Sequence, residues 1–447
     1  MPDSENGGRI APGSRTMTLE KVLMIAFHFP PQTGSSGQLR TLKYCRYLPE
    51  FGWDAFVLVP HPRAYDKLDE KSVDRIPKNT RVIRSFALDA KRHLSVLGRY
   101  PRYLALPDRW IGWVLGAVPA GLRAIRAHKI NVLYSTFPIM SAAVIGLFLH
   151  RLTGLPWVLD LRDPMSHDNY PEDPLVRHVW SLIEQKCVRH VSRVIFTAEA
   201  TRQMFLRRYP DILTPEMCTL ISNGFDEEDF SGLSFAPHDS PSASRPLRLV
   251  HSGMLYPVER DPRPMLNAVA RLKKEGHFSA QNMQIVFRGP GSEDLYRQML
   301  AERGIQDIVL LEHHLPYEEA LRECASADGL LIFQAANCDL QIPAKAYEYL
   351  RLGKPVFAMT TQTGDTAALL REVGGATIAD LASEQEIYER LYGFTQELRT
   401  GSHPLPDKTK IFRYTRRAQA NQLAGVLSEV AAEASATVRQ PARTVAK

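Results

Sequence analysis

Short, wholly apolar runs recur along the chain, each followed by a polar, Gly- or Pro-containing loop and then by a stretch with helical spacing. Lys21–Phe27, Asp54–Val59, Asn131–Ser135, Pro156–Asp160, Val194–Thr197 and Cys218–Ser222 read as strands, with helices over about Gln38–Glu50, Ile139–His150 and Leu175–Val191 between them. Strands apolar on both faces and separated by helices imply a parallel sheet covered on two sides. Pro237–Pro246 has linker composition. A second series follows, with strands at Leu247–Ser252, Met283–Arg288, Ile308–Leu311, Gly329–Phe333 and Val356–Met359.

The predicted class is therefore α/β, with two Rossmann-like α/β/α domains facing a central cleft. The predicted boundaries are a disordered lead at 1–19, an N-terminal domain at 20–235, a linker at 236–246 and a C-terminal domain at 247–405. A helix at 406–433 is expected to return to the first domain, and 434–447 to be a disordered tail.

The densest candidate chemistry lies between the last two of these strands, in Ile342-Pro343-Ala344-Lys345-Ala346-Tyr347-Glu348, ahead of Gly353-Lys354-Pro355. Pro343 suits the first helical position and Gly353 the residue just past the helix end. Lys345 in the first turn opposes the helix dipole, at a cost of roughly 0.3–1 kcal/mol. An anion bound there reverses that sign, and Glu348 one turn on suits neutral hydroxyls, so a phosphate carrying a polyol satisfies both. An ordinary Lys–Glu pair on a solvated helix accounts for the same two residues.

In the first half, the loop from His28 to Gly37 with Gly34 follows the first strand and admits either phosphate oxygens or a simple turn. Asp160, Arg162 and Asp163 stand at another strand end, as a site or as a closed ionic network fixing the loop. From Lys91 to Lys129 the sequence is basic and aromatic. A helix there with cations on one face and Trp on another suits an anionic membrane surface, or a charged face over an ordinary core.

Composition narrows the setting. At 447 residues the chain is long for one core, and 44% hydrophobic with 23% charged residues is ordinary for a globular protein. A net charge of +6 without a nucleic-acid fold signature gives no reason to expect nucleic acid. Five scattered cysteines with no C-x-x-C argue against a zinc site or disulfide framework and for a reducing compartment. Met1–Thr18 lacks an apolar h-region and no run reaches a membrane span, so a cytoplasmic protein is expected.

Taken in order, several motifs resemble glycosyltransferase family 4, the retaining sugar transferases of GT-B fold, over about residues 20–430. They are Phe29-Pro30-Pro31 with Gly34, Asp160-Leu161-Arg162-Asp163-Pro164, Asn223-Gly224-Phe225-Asp226, Ser252-Gly253 with Arg260-Asp261-Pro262, and Pro343-Ala344-Lys345 through Gly353-Lys354-Pro355. The likeness is greatest to the bacterial branch that builds surface and extracellular polysaccharides. It implies transfer from a UDP-, GDP- or dTDP-linked sugar to a glycan or lipid-linked acceptor, with no essential metal and no cofactor beyond the donor. The basic and aromatic segment adds the expectation of peripheral contact with the inner membrane face. By position, Glu348 matches the second glutamate of the E-x7-E motif, which holds the ribose, Arg260 the basic residue on the diphosphate, and Gly34 the N-terminal glycine loop. Gly253, Pro343, Ala344 and Tyr347 join the expected donor contacts, and Arg260, Lys345, Asp163 and Arg162 the expected catalytic set. The chain departs from the family at Leu340, where the first glutamate of the motif stands, and at Arg162, where a histidine is frequent. An epimerase of sugar nucleotides and a catalytically silent nucleotide-binding subunit are the rival expectations.

Overall fold

The structure is a computed structural model and describes residues 19–33, 37–97, 99–167, 170–233 and 245–439. Two parallel sheets organise it. The first contains β1 (Glu20–Ile25), β2 (Trp53–Pro60), β3 (Arg81–Ser85), β4 (Val132–Thr136), β5 (Trp157–Leu161), β6 (Arg193–Phe196) and β7 (Cys218–Leu220). Their order across the sheet is β3-β2-β1-β4-β5-β6-β7. The second contains β8 (Leu247–Ser252), β9 (Met283–Arg288), β10 (Val309–Glu312), β11 (Gly329–Phe333), β12 (Val356–Met359) and β13 (Ala376–Ala379), in the order β10-β9-β8-β11-β12-β13. In each sheet the strand order reverses once, between β1 and β4 and between β8 and β11. Ligands of open α/β sheets settle at such reversals, beyond the carboxyl ends of the strands.

Each sheet is buried on both faces. Leu23 and Ile25 face one cluster, with Trp113 and Trp157, while Val22 and Met24 face another, with Trp53 and Leu423. Strands so enclosed read as unbroken apolar runs, which is why most were visible in the sequence. β3 and β13 were not: Arg81–Ser85 and Ala376–Ala379 are edge strands, short and only partly apolar.

The final helix, Arg416–Arg439, lies on the first lobe, where the Trp53 indole donates to Ser428 Oγ at 3.1 Å. It extends past Ala434, so the expected unstructured tail is corrected as far as Arg439, and 440–447 lie outside the described residues. The lead to 18 and most of the expected linker (234–244) also lie outside them.

The chain crosses between lobes at the Asn223–Asp226 turn and returns at 412–416, and the two crossings are fastened together. Phe225 N–H donates to Tyr414 O at 3.1 Å, and Arg416 N–H to Phe225 O at 2.8 Å. Gly224 is what permits this contact, since a β-carbon there would stand 1.8 Å from Tyr414 O. Away from this point the lobes touch again. Thr201 Oγ1 donates to Leu340 O at 2.6 Å, and Ala200 N–H to Asp365 Oδ2 at 2.7 Å. The Glu199–Arg208 helix has Ala198 at its N-cap and no side-chain cap of its own, so the carboxylate of the other lobe serves its open N–H.

The expected basic amphipathic helix over 91–129 is not formed as such. The segment holds a short helix (Ala90–His93), a 3-10 turn (Arg102–Ala105) and the Trp113–His128 helix. Trp113 is fully buried and Trp110 packs on the core, donating to Ala64 O at 3.1 Å. These indoles are core, not a membrane face.

Candidate active site in the cleft between the lobes

Two cavities, about 1150 Å³ and about 920 Å³, open between the lobes and meet at the strand reversals. The first is walled by Arg162, Asn223, Tyr317, Ala344, Glu348 and Arg416, and the second by Phe137, Asp163, Tyr170, Arg260, Gln334 and Pro343. Arg162 and Asp163 of the first lobe therefore face opposite cavities, as do Pro343 and Ala344 of the second. The start of the Ala344–Leu352 helix stands where the cavities join, across from the end of β5.

That helix begins one residue later than predicted. Pro343 is its N-cap, in extended conformation, and supplies no side-chain hydrogen bond; Ala346 N–H donates to Pro343 O at 2.9 Å, which leaves the N–H groups of Ala344 and Lys345 for a ligand. Gly353 closes the helix at φ 70°, as the sequence implied. Lys345 and Glu348, three apart, share the half-buried face, while Ala346, Tyr347, Tyr349 and Leu350 are buried. Tyr347 is thus a correction. It is fully buried beside Tyr414, with ring centroids 5.1 Å apart, its hydroxyl turned toward Ser222, Arg40 and Arg416 of the first lobe, and it lines neither cavity.

Lys345 Nζ donates to Ser252 O at 2.7 Å and lies 3.2 Å from His251 Nε2. His251 Nδ1 is 2.9 Å from Leu331 O, a pure acceptor, so Nδ1 carries the proton and Nε2 accepts from the lysine. Burial, with the charges of Lys345 and Arg260, holds His251 far below its ordinary range and therefore neutral. The ammonium has two fixed partners, both uncharged, and no carboxylate within hydrogen-bonding distance among the described residues. Burial, and then the like charge of Arg260, lower its pKa from 10.5 to about 7, against an opposing pull from Glu348. Gly253 lies beside Lys345 at φ 115°, and a β-carbon there would come within 3.1 Å of Nζ; neither residue lines the two cavities. Glycine suits that backbone and leaves room beside the ammonium. Tyr349 OH accepts from Ser252 N–H at 3.0 Å, so one helix grips both backbone groups of the residue before Gly253.

Arg260 reaches back over the Tyr256 ring (5.1 Å to the centroid) and donates to Met254 O at 2.9 Å. Glu348 accepts from Tyr317 OH at 2.8 Å. Burial raises its pKa, opposed by the Tyr317 hydrogen bond and by Lys345. On the first lobe the Asp160–Arg162–Asp163 group divides. Asp160 is fully buried and paired with Arg40 at 2.9 Å, while Arg40 also donates to Ile221 O and Ser222 O. This pair is an internal tie between β5 and β7, and removing either member alone costs about 3–5 kcal/mol. Arg162 and Asp163 are left for the cleft. Arg162 donates to Gly37 O at 3.0 Å, with its Nε buried and unpartnered. Burial raises the pKa of Asp163, with Arg162 opposing and Asp160 assisting.

Four residues not anticipated as functional join the site. His251 and Tyr317 orient Lys345 and Glu348. His28, in the loop after β1, is held neutral with a pKa of about 4 by burial and by Arg162. Arg416, buried, has its pKa lowered to about 10, by burial first and then by Arg40. Of these, His251 carried a sequence signal, as the one histidine inside the largely apolar run before Gly253. Gly34 lies outside the described residues.

Residues 37–224 match the model of the glycosyl transferase 4-like domain. No curated protein sequence matches significantly. Among solved structures the chain is similar to HepE from Anabaena in complex with UDP, at 16% identity and TM-score 0.56, over 94% of this chain and 99% of that one. It is similar to a glycosyltransferase from Rickettsia africae, at 9% identity and TM-score 0.60, over 92% and 98%. It is also similar to WaaG, a glycosyltransferase involved in lipopolysaccharide biosynthesis, at 12% identity and TM-score 0.53, over 94% and 100%. At these identities the likeness is one of fold. The matched residues make up most of the first lobe, and the two lobes together form the GT-B architecture expected from the sequence.

Proposed function

We propose that the protein is a retaining glycosyltransferase that moves a sugar from a nucleotide diphosphate to a glycan or lipid-linked acceptor in surface or extracellular polysaccharide synthesis. One observation carries this reading: the uncapped start of the Ala344–Leu352 helix, with Arg260 and Lys345 beside it, faces Asp163 across the cleft. HepE, of the same fold, is known with UDP and with UDP-glucose, which supports a nucleotide-sugar donor.

In this reading the donor pyrophosphate lies on the N–H groups of Ala344 and Lys345, between Arg260 and the Lys345 ammonium. Glu348, oriented by Tyr317, takes the ribose hydroxyls in the first cavity. The sugar points into the second cavity. The anomeric C–O bond to phosphate breaks through an oxocarbenium-like state, and the new bond forms on the same face. The acceptor proton passes to the departing phosphate oxygen. Arg260, Lys345 and the helix N–H groups stabilise the charge building on that oxygen. Asp163 accepts a hydrogen bond from the acceptor hydroxyl. No divalent cation is required, and the enzyme works in the cytoplasm, peripherally at the inner membrane face.

The test is a thermal-shift panel of UDP-, GDP- and dTDP-sugars, followed by assay of the stabilising donor with and without EDTA. Transfer or slow donor hydrolysis, undiminished by EDTA, is expected. Conversion of the donor's sugar without acceptor establishes an epimerase, and donor binding with no turnover a silent subunit; either refutes the proposal.

A further inference from the structure

Two arginines of the first cavity carry charges that the fold does not balance. Arg162, just past the end of β5, spends Nη1 on Gly37 O at 3.0 Å and leaves Nε buried without a partner. Arg416, where the chain re-enters the first lobe, is 8% exposed and spends Nη1 on Gln419 Oε1 at 2.9 Å. Its backbone N–H donates to Phe225 O, so the residue is fixed at the fastened crossing. Among the described residues no carboxylate pairs with either guanidinium, whereas their neighbour Arg40 is satisfied by Asp160. Burial first, and then the charges of Arg40 and Arg162, weigh against the positive charge of Arg416, while Glu348 supports it. These groups therefore share one neighbourhood. Ala344, with its open N–H, and Glu348 face the same cavity from the second lobe. Buried cations without counter-charge are costly, and an anion lodged between them removes that cost.

We propose that Arg162 and Arg416 clamp the phosphate group next to the ribose of a bound nucleotide, from the side opposite the Ala344 N–H. Phosphate chemistry suits this set. A phosphate presents oxygens in several directions and enough charge for two guanidiniums and a helix N–H at once, whereas one guanidinium fills a planar carboxylate. Position points the same way. Glu348 stands in the first cavity and Arg260 in the second, so the group beside Ala344, between them, is the phosphate nearer the ribose. It is held from the first lobe, from the crossing and from the second lobe together. Which phosphate it is rests on the transferase reading; the anion site itself does not.

Calorimetry of the full chain with uridine, UMP and UDP separates this clamp from the rest of the site. Arg162→Gln should weaken UMP and UDP alike by about tenfold or more, the scale of one lost hydrogen bond to a charged group, and leave uridine unchanged. Arg260→Ala should weaken UDP and spare UMP. Arg416→Gln should repeat the Arg162→Gln pattern. If it does not fold, Arg416→Lys, which keeps the charge but loses the planar fork, should still weaken UMP severalfold. Inorganic phosphate gives a readout free of the nucleotide: against chloride of equal ionic strength it should raise the melting temperature of the native chain more than that of Arg162→Gln. Equal UMP affinity in the native chain and Arg162→Gln overturns the clamp and leaves the transferase reading standing. If no nucleotide binds, that reading fails and the phosphate shift decides: a shift lost in Arg162→Gln upholds the anion site, and an equal shift in both chains overturns it.

Discussion

Raising the pH should weaken nucleotide binding through a single amine, Lys345. With a pKa near 7 in the free protein, about half of the molecules carry the charge at pH 7 and about a tenth at pH 8. A bound pyrophosphate restores the missing counter-charge, so the complex holds the proton and binding takes it up from solvent. Calorimetry with UDP in buffers of differing ionisation enthalpy should show uptake of about 0.9 proton per UDP at pH 8 and about 0.5 at pH 7. The nucleotide's own terminal phosphate, with a pKa of about 6, is already ionised at pH 8 and takes no proton. Above pH 7 the dissociation constant should rise nearly tenfold per unit. Lys345→Arg, always charged, should flatten that slope. The same shift sets a stability dependence of opposite sense. Because folding lowers this pKa, the unfolded chain binds more protons between about pH 7 and 10.5. Lys345's contribution therefore improves as pH rises through that window, and its full cost, on the order of 4–5 kcal/mol, is borne below pH 7. A binding enthalpy at pH 8 that is independent of the buffer would refute the assignment of Lys345 to the phosphate.

Arg260→Ala should lower turnover by about 10²-fold or more, the scale of one lost charge-stabilising donor, and steady-state kinetics with the identified donor would check it. Glu348→Gln should weaken UDP binding by about tenfold while leaving kcat largely intact; Tyr317→Phe, which removes only the orienting hydroxyl, should weaken it less. An equal loss in both variants counts against a direct ribose contact. Gly224→Ala should destabilise the protein by about 1–3 kcal/mol or more in denaturant unfolding, because the new methyl must part the two crossings.

The two sheets were legible because strands covered on both faces must be continuously apolar, and the site's position followed from the reversal of strand order. Its composition was less legible. Lys345 and Glu348 stood out as charges on an otherwise buried helix, whereas Tyr347 differs from them only in which way it faces, and its neighbours in sequence do not reveal that. Asp160 and Asp163 are separated by two residues and have opposite fates. The buried partner that claims Asp160 is Arg40, on a distant helix, and only the fold brings them together. Tyr317 and Arg416 reach the cleft from far along the chain and carry no local pattern. The indoles at 110 and 113 misled because core and membrane faces use the same residues.

The fastening of the two crossings at Gly224 acts as a fulcrum. Points near a pivot travel least, and the cavity holding Glu348 and Arg416 is bounded by Asn223, Gly224 and Phe225 themselves. The second cavity lies toward the far side, where Thr201 meets Leu340, and there a small rotation becomes a wide displacement. In the proposed transferase a spent nucleotide near the pivot would stay seated while the opposite end swings clear, so the glycosylated product would depart first and the nucleotide last.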